Sequence, residues 1–229
     1  MIEFKDVSMV YANGTAALNG VNLTIDDGEF VFVVGRSGAG KTTLTKLLLR
    51  EERVTGGRLT VDRFSLERMP RRKVPYLRRT MGVVFQDFRL FNNKTVYENV
   101  SYTMRIVGAS NAAIKQSVAY ALNLVELTDK IDRFPTELSG GEQQRVAFAR
   151  AIVNNPKIVI ADEPTGNVDP ELSRDLMGLL VRINGLGKTV IVVTHDMQLV
   201  ELFKKRTVTI DNGRIVSDIN KGGLETNEN

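Results

Sequence analysis

Residues 30–49 read FVFVVGRSGAGKTTLTKLLL. An apolar, Val-rich run enters a glycine-rich octapeptide, and leucines at helical spacing follow it. That order of strand, loop and helix is the context in which G-x-x-x-x-G-K-[ST], met here by Gly35, Gly40, Lys41 and Thr42, acts as a phosphate cradle rather than a glycine turn. Glycines let backbone N–H groups face phosphate oxygens, Lys41 reaches the outer phosphates, and the Thr42 hydroxyl is placed to coordinate Mg²⁺. The candidate nucleotide contacts are Gly35, Arg36, Ser37, Gly38, Ala39, Gly40, Lys41, Thr42 and Thr43.

Three more apolar runs end in polar residues: 81–85 into Gln86, 158–161 into Asp162, and 189–193 into Thr194 and His195. Continuous β-branched runs suit parallel strands buried on both faces. In open α/β sheets ligands sit beyond the carboxyl ends of the strands, so all four runs point at one site. Asp162 is then placed to hold Mg²⁺ opposite Thr42, and Glu163 lies one residue beyond. Adjacent acids before Pro164-Thr165-Gly166 also suit a turn or a helix start.

Around this core the pattern changes. Residues 2–11 and 17–25 read as strands about the turn Asn13-Gly14, forming an antiparallel flank. Helical patterns occupy 96–104 and 111–122, with no convincing strand between 87 and 137, as in a helical subdomain inserted into the core. Asn212-Gly213 reads as a hairpin turn between strands at 207–210 and 214–216. The expectation is an α/β protein with one domain over 1–218. Its core covers 1–86 and 155–218, its helical subdomain about 87–154, and a disordered polar tail 219–229.

Composition narrows the classes. Hydrophobic content of 42% and charged content of 25% are ordinary for a globular chain. The absence of cysteine removes disulfides, thiolate metal sites and thiol nucleophiles, and is compatible with a reducing cytosol. The longest charge-free stretch, 7–25, holds Ser8, Asn13, Thr15, Asn19, Asn22 and Thr24 and is too polar for a membrane span, and MIEFKDVSMV does not read as a secretory signal. Net charge is +4, yet residues 50–80 hold ten Lys or Arg against four Asp or Glu. That patch, with Arg68, Arg71, Arg72, Lys73, Arg78 and Arg79, reads as solvated surface or as a face for anionic lipid, nucleic acid or an acidic partner.

Residues 138–145 read LSGGEQQR. Ser139 and Glu142 make a capping box ahead of Val146, Ala149 and Val153 at helical spacing, so the segment also reads as a capped helix start. Two glycines in the first turn weaken a helix by roughly 1 kcal/mol each, and close approach of an anion would account for them. The motif resembles the signature of ATP-binding cassette (ABC) ATPases, and the resemblance spans 2 to about 213. It implies ATP with Mg²⁺, a P-loop NTPase fold of the ABC nucleotide-binding type, and a homodimer. In that dimer Ser139, Gly140, Gly141 and Glu142 of one subunit close over ATP on the other's P-loop. It also assigns Glu163 as general base, His195 as the switch residue at the γ-phosphate and Gln86 as a contact of Mg²⁺ or water. Asp169 becomes part of a loop crossing the dimer interface, and Tyr11 the aromatic stacked on adenine. By itself His195 suits surface or core, Gln86 a polar strand exit, and Tyr11 a strand-end core position.

Within the family, DEPTGN at 162–167 together with LSGGEQQR is similar to the branch of lipoprotein-release, macrolide-export and bacterial cell-division ATPases. VPYLRR at 74–79, FQD at 85–87 and KTVYENV at 94–100 resemble the cell-division members most. Two positions depart from many relatives: Glu142 stands for Gln and Gly166 for Ser. The resemblance implies an integral membrane partner, peripheral residence on the cytoplasmic face of the membrane at the septum, and mechanical work rather than solute transport. Phe88, Leu90 and Phe91 are candidate docking residues for that partner or plain subdomain core. A kinase would have no need for LSGGEQQR. DNA-associated relatives insert long coiled coils, whereas 95 residues without sustained heptads separate Thr42 from Leu138, so no nucleic-acid partner is expected.

Overall fold

The structure, a computed structural model, describes residues 1–166 and 168–219. In chain order its strands and helices are β1 (Ile2–Val10), β2 (Ala16–Ile25), β3 (Phe30–Val34), α1 (Lys41–Leu48), β4 (Gly56–Val61), β5 (Phe64–Ser65), α2 (Val74–Arg78), β6 (Met81–Phe85), α3 (Val96–Ile106), α4 (Asn111–Leu124), α5 (Gly140–Ile152), β7 (Ile158–Asp162), α6 (Pro170–Gly185), β8 (Thr189–Val193), α7 (Met197–Phe203), β9 (Arg206–Asp211) and β10 (Arg214–Ile219).

Two sheets form. The larger runs β10-β9-β3-β8-β7-β6, parallel from β9 to β6, with β10 antiparallel at its edge. The smaller runs β2-β1-β4-β5 and is antiparallel throughout. The four apolar runs are thus adjacent parallel strands, in the order β3-β8-β7-β6. Each is buried on both faces because its side chains alternate between two cores. Phe30, Phe32 and Val34 of β3 face α3, α4, α5 and α6, while Val31 and Val33 face α1 and the smaller sheet. In β7, Val159 and Ala161 take the first side and Ile158 and Ile160 the second.

The flank is larger than the sequence pattern indicates. The antiparallel pair of β1 and β2 is joined by β4 and β5 from the basic segment. Arg58, Arg63 and Ser65 face solvent there, and their charge and polarity obscure the alternation set by Leu59 and Val61. At the other end β10 continues to Ile219, which pairs with Thr207, so the tail begins later than the expected 219. The expected disorder of 220–229 lies outside the described residues. The hairpin between β9 and β10 turns at Asn212 and Gly213, both with positive φ, as a two-residue turn requires.

Helix α5 carries the signature and connects the helical insert to the core. Its last turn lies against β6. A Cβ on Gly82 would stand 2.2 Å from the Ala151 carbonyl oxygen, so only glycine lets β6 and α5 approach this closely. Overpacking of such a contact costs on the order of 1–3 kcal/mol, and each kcal/mol shifts the melting temperature of a chain this size by about 2–4 °C. Gly82→Ala is therefore expected to melt several degrees lower in scanning calorimetry. An unchanged Tm shows that α5 and β6 part without penalty.

Candidate nucleotide site

The P-loop spans the gap between β3 and α1. A Cβ on Gly35 would lie 2.2 Å from the Ile210 carbonyl oxygen, so the loop leaves β3 pressed against β9. Lys41, 8% exposed, curls back so that its ammonium donates to the carbonyls of Gly35 at 2.7 Å and Arg36 at 3.1 Å. Gly35, Arg36, Ser37, Gly38, Lys41 and Thr42 line one hollow of about 740 Å³ together with Gln86, Asp162, Glu163 and His195. Residues from four different strand ends thus share one cavity. Ala39 is buried behind the loop, Gly40 caps α1, and Thr43 faces Tyr11.

Charge in the hollow is unevenly shared. Burial pushes the Asp162 carboxyl above its ordinary range and the neighbouring Glu163 pushes it further, while Lys41 and Arg89 pull it down. Glu163 holds a positive φ of 49°, an unfavourable conformation for a residue with a Cβ. Its N–H donates to the Val193 carbonyl at 2.8 Å, and its carboxylate oxygens both lie 2.9 Å from Nδ1 of His195. His195 is otherwise open to solvent, its side chain 74% exposed. A carboxylate and an imidazole are therefore paired at the edge of the phosphate cradle, the arrangement a general base and its orienting partner need.

Thr42, Asp162 and Gln86 bring hydroxyl, carboxylate and amide oxygens to the same hollow. Among the described residues no cluster of three or more His, Cys, Asp or Glu could hold a metal alone. This sparse oxygen set fits Mg²⁺, which is bound through one or two protein oxygens together with substrate phosphates and water.

Gln86 leads into a strained turn. Phe88 and Arg89 both have positive φ, and Arg150 of α5 donates to both of their carbonyls. The Arg89 guanidinium lies 3.7 Å from the centre of the Phe85 ring. Gln86 also packs on Gly166, where a Cβ would come within 2.8 Å of its Nε2. Glycine at this position leaves Gln86 room to lie against the backbone.

The signature lies elsewhere. Ser139 caps α5 and Glu142 reaches back to it, completing the expected capping box, and these bonds hold the Glu142 carboxyl below its ordinary range. The two glycines have different surroundings. A Cβ on Gly141 would meet the tip of the Leu172 side chain of α6 at 2.6 Å, so packing within the chain favours a small residue there. A Cβ on Gly140 would meet nothing within 4 Å. Ser139, Gly140, Gly141 and Glu142 line a second hollow of about 550 Å³ with Arg145, Asp169 and Leu172, and it shares no lining residue with the first. Asp169 is the N-cap of α6, its carboxylate accepting from the N–H groups of Glu171 and Leu172. Tyr11 lines neither hollow; its hydroxyl lies 3.1 Å from Oγ1 of Thr43, on the helix that carries the P-loop threonines.

Two residues outside the expected set tie α5 to the loops after β6 and β7. Arg150 holds the turn after Gln86, and Gln144, 1% exposed, donates from Nε2 to the Pro164 carbonyl at 2.6 Å. The signal for Gln144 is its position, because it falls on the same helical stripe as Phe148 and Ala151, facing the core.

The fold and this site define a class: the ABC transporter family matches residues 18–166, and the chain belongs to that family. It is an ATPase of the cassette type. Among curated proteins it is 51% identical to the cell division ATP-binding protein FtsE of Streptococcus pneumoniae over 97% of this chain and 96% of that one. It is 49% identical to the protein of the same name from Bacillus subtilis, over 97% of each chain. The Escherichia coli FtsE is 44% identical over 94% of this chain and 97% of its own. Among solved structures, a dimeric bacterial ABC transporter cassette superposes with a TM-score of 0.88 at 35% identity, covering 98% of this chain and all of that one. A dimeric ATP-binding cassette in a post-hydrolysis state bound to ADP and Pi superposes with a TM-score of 0.87 at 34% identity, with the same coverage.

Asp162 gives a test of how stability and chemistry oppose each other here. Its pKa is higher folded than unfolded, so the ionised carboxylate opposes folding at neutral pH, and the effect vanishes where both states are protonated. Asp162→Asn is expected to raise Tm at neutral pH, to lose that advantage in acid, and to slow ATP hydrolysis by about a hundredfold or more. Melting curves against pH, beside a phosphate-release assay, check both halves.

Proposed function

We propose that this chain is the ATP-hydrolysing subunit of a membrane complex in bacterial cell division. It works with an integral membrane partner resembling FtsX, at the cytoplasmic face of the membrane and at the septum. Its cycle transmits motion across the membrane to activate peptidoglycan hydrolases rather than to carry a solute. Sequence identity with cell-division ATPases along nearly the whole chain supports this reading. No helix among the described residues is long and apolar enough to cross a membrane, which fits a subunit that depends on another protein for that task.

One observation carries the mechanism: the signature and the P-loop line separate hollows of the same chain. Each chain therefore offers two half-sites, and a two-fold dimer joins unlike halves twice. In the first half-site Lys41 and the P-loop N–H groups grip the β- and γ-phosphates, and Tyr11 lies beside the adenine. Thr42, Asp162 and Gln86 would hold Mg²⁺, which supplies charge neutralisation at the phosphates. Glu163 takes the proton of the attacking water, and His195 orients Glu163 and contacts the γ-phosphate. Ser139 and Gly140 to Glu142 of the other subunit close the cage, with Asp169 in the loop beside them. Phosphoryl transfer needs positioning and charge stabilisation more than covalent help, so closure itself sets the rate. Residues 1–218 act as one domain, and the part at about 87–154 is the portion that shifts against the core.

Phe91 is the proposed contact with the membrane partner. It is 39% exposed and sits edge-on to Tyr102, with their ring centres 4.9 Å apart. Ile106, one turn further along α3, is 64% exposed and extends the apolar surface. Leu90 packs against the core instead.

Two experiments follow. Glu163→Gln removes the base and is expected to slow turnover by about a hundredfold or more while leaving ATP binding intact, so that an ATP-bound dimer accumulates. Light scattering that finds only monomer with ATP and Mg²⁺ counts against closure of two copies. Phe91→Asp is expected to lose co-purification of the membrane partner from native cells with ATP binding retained; unchanged co-purification removes this surface from the interface.

A further inference from the structure

Residues 68–79 read RMPRRKVPYLRR: six cations, no acid, and no Asn, Gln, Ser or Thr. In the structure they form a 3₁₀ turn at Arg71–Lys73 that runs into α2. Met69 and Leu77 point inward, 5% and 0% exposed, and fasten the segment to the core beside α1 and the smaller sheet. Arg78 is tied down as well, its Nε donating to the Leu49 carbonyl. The other cations, Arg68, Arg71, Arg72, Lys73 and Arg79, lie on the exposed side. Among the described residues none of these five forms an ion pair, although Glu51 and Glu52 line a hollow next to Arg71. Tyr76 stands in their midst, 57% exposed, with the Arg79 guanidinium 5.0 Å from its ring centre.

We propose that this strip binds the anionic headgroups of a lipid bilayer. Cations anchored on a rigid, apolar-backed turn can approach a charged plane together, without the ordering cost a flexible tail would carry. A tyrosine among them suits the boundary between water and hydrocarbon, where its ring is partly buried and its hydroxyl stays wet. Nucleic acid is the weaker match: arginines and lysines alone can hold phosphates, but the segment has no Asn, Gln, Ser or Thr to supplement them in fixing register or reading adenine, and an exposed tyrosine on a short helical turn suits a bilayer interface. The inference goes beyond the function proposed above: it makes the ATPase a lipid-contacting protein in its own right, whichever membrane protein it serves.

The test uses the whole chain and vesicles that contain no protein, so its outcome is independent of the membrane partner. Sedimentation with phosphatidylglycerol-rich vesicles is expected to carry the protein down, pure phosphatidylcholine vesicles are not, and binding should weaken as salt rises. Each cation near an anionic surface is worth on the order of a fivefold change in partitioning. The triple charge reversal R72E/K73E/R79E, which leaves Arg71 in the hollow it shares with Tyr11, should therefore weaken binding more than about a hundredfold, and the milder R72Q/K73Q about tenfold or more. Both should still bind ATP, since Met69 and Leu77 are untouched; if the triple variant does not fold, the double variant decides. Equal binding to neutral vesicles, insensitivity to salt, variants that bind like the parent, or displacement of vesicles by duplex DNA at matched phosphate concentration would each overturn the proposal.

Discussion

Phe85, Asp162, Val193 and Val33 lie in one row across β6, β7, β8 and β3, each paired with its neighbour in the parallel register. The residues that follow the first three, Gln86, Glu163 and Thr194, therefore leave the sheet at the same height, level with Val34 at the end of β3, and the candidate nucleotide site is built from them and from the loop after Val34. The backbone ladder would serve equally well one residue out of register and does not by itself choose that alignment. The alignment is set by the alternation of side chains into two cores, because a slip by one residue in any of these strands would exchange its two faces. Phe32 would then press toward α1 and Val33 toward α5, into spaces shaped for different volumes. Hydrophobic packing on both sides of the sheet is thus what gives the site its precision.

The groups that register brings together are not at ease with one another. Asp162 is ionised only against burial and a neighbouring carboxylate, Glu163 is held in a left-handed conformation, and Phe88 and Arg89 repeat that conformation after Gln86. Strain of this kind persists where surrounding structure over-determines it. Here the restraints are identifiable: the Val193 carbonyl and His195 for Glu163, and Arg150 for the turn after Gln86. Helix α5 supplies Arg150 and Gln144 from the same element whose first turn presents the signature. A displacement of that helix would act on both the Gln86 turn and the Pro164 loop, which is a physical route between the two hollows.

The features most legible in sequence were those in which one residue type has one physical use. Continuous β-branched runs, a glycine loop ending in Lys-Thr, and Asn-Gly between alternating strands each specified an element that the structure contains. Elements whose signal is divided were harder to read. Arg58 on the outer face of β4 and Arg63 in the turn before β5 hide the alternation, and α2 begins with a proline at its second position within a run of arginines. α6 had a usable signal, with Asp169 as cap, Pro170 at the first position and Leu172, Leu176, Leu179 and Ile183 along one stripe. Contacts that join distant segments are beyond any local pattern. Nothing near Gly141 in sequence announces Leu172, and nothing near Arg150 announces the carbonyls of Phe88 and Arg89.

Gly140 and Gly141 separate two constraints that look alike in the sequence. At Gly141 a side chain would have to displace the tip of Leu172, so contact within the chain already favours a small residue there. Gly140 faces open space, and a helix gains stability from almost any other residue in its first turn. A bare backbone at that exposed point leaves room for close approach from outside the chain. The N–H groups there are also the ones a helix leaves without internal partners, and they carry the positive end of its dipole. An anion is the natural visitor, and this chain's own phosphate cradle lies in a different hollow, so on the proposed reading the phosphate arrives on another copy.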